Sequence, residues 1–72
     1  MPDLEGRSRI LKVHSKNKKL ASNVNLDEIA KRCLGFSGAD LANLMNESAI
    51  FSARKGKTEI GYDDIIEALD RI

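Results

Sequence analysis

Between Ser37 and Gly56 the chain reads SGADLANLMNESAIFSARKG, a helix marked at both ends. Ser37 is placed to cap it. Asp40, three residues on, can answer the cap and sets a negative charge at the positive end of the helix dipole. Leu41, Leu44, Met45, Ser48, Ala49 and Ser52 recur along one face, and Ile50 and Phe51 widen that face. A helix apolar over so broad an arc needs neighbours on more than one side, which predicts that it is central. Gly56 closes it.

Three shorter helices fit around it. In PDLEGRSRILKVHSK, Asp3 is an N-cap and Leu4, Arg7, Leu11 and His14 recur at helical spacing beside Ile10, predicting a helix over about 4–16. The polar stretch NKKLASNVN reads as a loop, with Leu20 tucked against the core. In NLDEIAKRCLG, Asn25 caps, Glu28 is placed to complete a capping box, and Leu26, Ile29, Ala30 and Cys33 form a stripe that Gly35 ends. KTEIG reads as a short extended link with room for one small strand. In GYDDIIEALDRI, Asp63 and Asp64 occupy a first turn, with Tyr62, Ile65, Ile66, Leu69 and Ile72 on one side. The two adjacent aspartates point about 100° apart on a helix, which suits capping rather than paired catalysis. The expected fold is an all-α bundle of four helices in one domain over residues 1–72.

Composition narrows the function. With 72 residues the core is small, and partners or neighbouring domains would add to its stability. Twelve basic residues stand against 11 acidic ones, a formal net charge of +1, and Phe36, Phe51 and Tyr62 do not alternate with basic residues. Nucleic acid is therefore not expected as a partner. The lone Cys33 falls on an apolar stripe, away in sequence from the lone His14, and reads as a small buried hydrophobe. No apolar run is long enough to span a bilayer. A phosphate loop of the form G-x-x-x-x-G-K-[ST], an H-E-x-x-H pair and any His/Cys cluster with metal spacing are missing from this stretch, so neither a catalytic set nor a metal site is expected within it.

Gly38 and Ala39 open the long helix without bulk. A first turn carries free N–H groups, and small residues there let a ligand, its negative part favoured by the dipole, approach the backbone closely. The same pair also suits an ordinary N-terminal turn packed on the preceding loop.

The run GFSGADLANLMNESAIFSAR resembles the lid segment of the AAA ATPases, and most of all that of the FtsH family of membrane-anchored, ATP-dependent zinc metalloproteases, whose pattern is similar to GFSGADLANLxNEAAxxAAR. PDLEGRSRILKVH resembles the family's P-D-x-x-G-R-x-x-I-L-x-x-H segment, and YDDIIEALDRI its closing helix. VHSKNKKLASNV and NLMNESAI are similar to plastid and cyanobacterial members. Ser48 and Ser52 stand where the family often has Ala, and each hydroxyl can bond back to the preceding turn.

The resemblance implies an AAA+ lid subdomain, a piece of a longer chain. Met1 followed by Pro2-Asp3 reads as a start within a longer gene. His14, Gly38 and Ala39 are implied to lie beside the adenine and ribose of a bound nucleotide, although a lone helix-end His is also favoured simply by the helix dipole. Ala39 stands where many AAA+ proteins carry a phosphate-sensing arginine. Arg7 reads as a snorkelling surface cation, with an interdomain role as the other option. The implied cofactors, ATP or ADP with Mg, and zinc in a separate protease domain, belong to the longer protein. The implied partners are the large AAA subdomain of the same chain, neighbouring subunits of a homo- or hetero-hexamer, and protein substrates; the anchored parent would hold this domain on the cytoplasmic, stromal or matrix side. The other readings are the lid of a different AAA machine, such as a proteasomal ATPase, and a free-standing helical interaction module. A histone-like arrangement of the helices is a further variant, disfavoured by the near-neutral charge.

Overall fold

In the computed structural model, which describes residues 1–72, the chain forms four helices: α1 (Leu4–His14), α2 (Leu26–Lys31), α3 (Gly38–Arg54) and α4 (Tyr62–Arg71). The first three begin where a side chain accepts from the free first turn. Asp3 Oδ1 takes the Gly6 N–H at 2.8 Å, Asn25 Oδ1 takes the Asp27 N–H at 3.0 Å, and Ser37 Oγ takes the Asp40 N–H at 3.1 Å. Asp40 returns the bond, accepting the Ser37 N–H at 2.9 Å, so the capping box expected at α3 is complete. At α2 it is not. Glu28 turns away to pair with Lys31 at 3.1 Å, leaving Asn25 as the sole cap.

The stops follow the glycines less closely. Gly35 and Gly56 adopt φ of +84° and +71°, but α2 already ends at Lys31, and a looser turn carries the chain on to Gly35. α1 stops at His14. Ser15 Oγ donates to the Leu11 carbonyl at 2.7 Å and Lys18 Nζ to the His14 carbonyl at 2.9 Å, which satisfies the last turn and releases the chain.

α3 packs against α1 on one side and α4 on the other, as its broad apolar arc predicts, and α2 packs on α1. Leu11, Ile29, Cys33, Leu41, Leu44, Met45 and Ile65 are fully buried in one core, with Leu20 and Phe36 packed against it. Leu4, Ile50 and Ile72 belong to the predicted stripes but are exposed, because they sit at a chain end or on the side of α3 that no helix covers.

Arg7 corrects the surface reading. It is buried, its Nε donating to the Ala30 carbonyl at 3.0 Å and its Nη1 to the Pro2 carbonyl at 3.4 Å. The Ala30 carbonyl already accepts the Cys33 N–H at 3.2 Å, and the guanidinium adds a second donor to it at the end of α2. It thereby ties α1, α2 and the lead-in segment together.

The link KTEIG forms an isolated parallel bridge, Leu20 with Ile60, rather than a strand. Ile60 N–H donates to the Lys19 carbonyl at 2.9 Å, and Ala21 N–H to the Ile60 carbonyl at 2.8 Å. Ser48 bonds back to Leu44 at 2.7 Å as expected; Ser52 instead reaches forward to the Glu59 carbonyl at 2.6 Å and holds the link to α3.

At the junction of α3 and α4 lies a fully buried carboxylate, Asp64. It accepts the Gly61 N–H at 2.8 Å, Lys55 Nζ at 2.8 Å and Lys57 Nζ at 2.7 Å, while the same lysines hold Asp63 at 3.3 and 3.2 Å. A Cβ on Gly61 would lie 2.6 Å from Asp63 Oδ1 and 3.1 Å from Lys57 Nζ, so a side chain there would push the ends of both away from this cluster. Burial pushes the Asp64 carboxyl upward, yet the two ammonium groups and the Gly61 N–H outweigh it and hold it down to about 2.

Because the folded value lies below the ordinary 3.8, the clasp stabilises the fold fully above that pH, and its contribution is lost as pH falls through about 2. Asp64→Asn should cost roughly 2 kcal/mol at neutral pH, near the lower end for a buried ion pair because both lysines are partly exposed. Thermal unfolding of both proteins across this range should show the gap closing as pH falls toward 2; a gap independent of pH would contradict the assignment.

Candidate functional site

The structure sets the three candidate residues at two helix ends. His14 is the last residue of α1, and Gly38 and Ala39 are the first two of α3. The capping box consumes the Asp40 N–H, but the N–H groups of Gly38 and Ala39 donate to no other group of the chain. Ala39 is exposed and Gly38 half-buried, so this turn offers backbone donors with little side chain in front of them. The nearest atom to a Cβ added at Gly38 would be Ile10 Cδ1, at 3.9 Å.

Ile10 is the residue that sequence reasoning left out of the site. It lies one turn before His14 on the same face of α1, is half-buried, and brings that face against the start of α3. A signal was available, since Ile10 is an apolar residue spaced four from the lone His. The His14 side chain is exposed and makes no hydrogen bond within the chain. The surface therefore combines two free N–H donors, an aliphatic edge and an imidazole. None of the three candidates lines a concavity; the largest, about 580 Å³, lies elsewhere, between α1 and α2.

The chemistry open to such a surface is recognition. Cys33 is buried against the Ile29 carbonyl, and burial pushes its thiol up despite Arg7 nearby, so it is no nucleophile. No group of three or more His, Cys, Asp or Glu side chains could hold a metal ion. No helix is long and apolar enough to cross a membrane.

Comparison with known proteins bears on the same helices. The family model for the AAA+ lid domain matches residues 23–67, which takes in α2, α3 and most of α4. The chain is 59% identical over 71 residues to the ATP-dependent zinc metalloprotease FtsH of Aquifex aeolicus, covering 99% of this chain and 11% of that protein. It is 58% identical over 72 residues to the chloroplastic ATP-dependent zinc metalloprotease FTSH 8 of Arabidopsis thaliana, covering 100% of this chain and 10% of that protein. With FtsH of a Synechococcus strain the identity is 54% over 71 residues, 99% of this chain and 11% of that one. The chain thus spans about a tenth of the length of the curated relatives it matches.

Gly38 has room for a methyl group, so its smallness is not required by the fold. Gly38→Ala should leave the chain folded, with stability unchanged or raised by up to about 1 kcal/mol through the lower chain entropy of alanine. A chemical-denaturation curve measures this; a loss of more than that amount would make Gly38 a packing residue.

Proposed function

Because the chain belongs to the AAA+ lid domain family, we propose that it serves as the lid of an FtsH-like ATP-dependent zinc metalloprotease, closing over bound ATP. The observation that carries this reading is the family match centred on α3, whose first turn leaves the Gly38 and Ala39 N–H groups free beside Ile10. An aliphatic edge suits the face of a purine base, and backbone donors with an imidazole suit its polar edge and the sugar. The residues fit the base-and-sugar end of a nucleotide. They include no Gly-rich phosphate loop, so Mg-bound phosphates and the hydrolysis itself belong to the large AAA subdomain of the longer protein.

The lid's work is mechanical. Arg7, the Leu20–Ile60 bridge and the Asp64 clasp bind the four helices into one unit that can swing without deforming. When the nucleotide is bound or hydrolysed, that unit rotates against the large subdomain and passes the rotation to the next subunit of a hexameric ring, driving protein substrate toward a zinc-dependent protease chamber. Ala39 at the head of α3 carries no charge, so contact and packing, not a phosphate-sensing cation, couple nucleotide state to lid position. The longer protein is anchored in a membrane with this domain on the cytoplasmic, stromal or matrix side, consistent with the chloroplastic name of one relative.

The 72-residue chain alone should bind ATP weakly or not at all, since contacts to one side of a nucleotide do not offset its lost freedom. In a titration followed by backbone amide shifts, the predicted result is no saturation below about 1 mM ATP, equivalent to less than about 4 kcal/mol of binding. Micromolar binding would sink the idea that the site is completed by another domain.

A further inference from the structure

The exposed side of α3 and the lysines beside it form a surface that the nucleotide reading does not use. α3 contacts only α1 and α4, so its remaining side is unpartnered. That side presents Asn43, Asn46, Ile50 and Ala53 to solvent, with the half-buried Glu47 as the one charged residue between Ala42 and Ala53, and Ile50 is the one large apolar side chain α3 exposes. With small and amide side chains around one apolar anchor and a single carboxylate at its edge, it has the composition of an interface centre.

Its border is strongly basic. Residues 6–26 contain no acid and six basic side chains. The Leu20–Ile60 bridge folds the end of this stretch back along α3, where Lys18 and Lys19 share a shallow concavity of about 180 Å³ with Ala49, Ala53 and Lys57. Lys57 is held by Asp63 and Asp64, but Lys16, Lys18 and Lys19 enter no ion pair. Glu59 is the single acid in the concavity, outnumbered by three lysines.

We propose that this face docks a protein helix bearing a small apolar stripe flanked by acidic side chains, with Ile50 as the anchor and Lys18 and Lys19 as the charge-reading rim. Charge complementarity selects the occupant. A nucleic acid would want stacking aromatics, and the face has none; its one arginine, Arg54, stands alone a turn after Ile50. A lipid surface would want more than one exposed large apolar side chain, and α3 supplies only Ile50. The inference is independent of the nucleotide reading, since it uses none of the residues at the head of α3.

The test uses the full 72-residue chain, isotopically labelled, and two designed helical peptides with one Leu/Ala stripe, flanked in one by glutamates and in the other by lysines. The glutamate peptide should shift the amides of Lys18, Lys19, Asn46, Ile50 and Ala53, and the lysine peptide should not. Reversing both rim charges (Lys18→Glu with Lys19→Glu) or placing a charge at the anchor (Ile50→Asp) should each weaken binding by at least about tenfold. Lys19 and Ile50 lie at the surface, whereas Lys18 is half-buried and donates to the His14 carbonyl, so Lys19→Glu alone, expected to weaken binding in the same direction, serves as the second variant, and an unchanged amide spectrum elsewhere checks the fold. Equal binding of both peptides, shifts confined to other surfaces, indifference to charge reversal, or shifts that grow with protein concentration alone would overturn the proposal, the last by assigning the face to a second copy of the chain.

Discussion

A core of eleven buried apolar side chains is small for four helices, and the fold depends on a few polar pins that fix how those helices meet. The buried Asp64 is the foremost. It joins the end of α3 to the start of α4 through two lysines and one backbone N–H, so the turn between them has one geometry. Taking a carboxylate out of water is unfavourable alone; three donors around it turn the site into a specific joint. Arg7 does the corresponding work at the other end, binding α1 to the last turn of α2.

The head of α3 is positioned by apolar packing. α1 leans on α3 through Leu11 and the wider core, and Ile10 reaches the first residue of α3. A helix start held this way keeps its first two N–H groups aimed outward at fixed positions relative to His14's helix. Rigidity of that kind is what a closing lid requires, because any give between α1 and α3 would be lost motion.

Much of this was legible in the sequence, and the reason is locality. The caps at Asp3, Asn25 and Ser37 involve residues within three of one another, so spacing alone identifies them. Gly56 and Gly35 announced left-handed backbone for the same reason. What stayed hidden joins residues far apart. Arg7 meets Ala30 across 23 residues, which helical periodicity cannot reveal, and so it passed for a surface cation. Ser52 reaches Glu59 and not the preceding turn, because the link folds back within reach. Within the candidate site, His14 was put forward from the family resemblance, and Gly38 and Ala39 from the small first turn together with that resemblance; Ile10 emerges from the packing.

The central claim is that the head of α3 and the end of α1 meet a nucleotide in the complete protein. The most direct measurement is a structure of a full-length protein carrying this lid with an adenine nucleotide bound. The account predicts the base and sugar in contact with His14, Ile10, Gly38 and Ala39, at least one backbone N–H of the α3 head lying within hydrogen-bonding distance, about 3 Å. A nucleotide bound with those four residues facing solvent or another surface would contradict it.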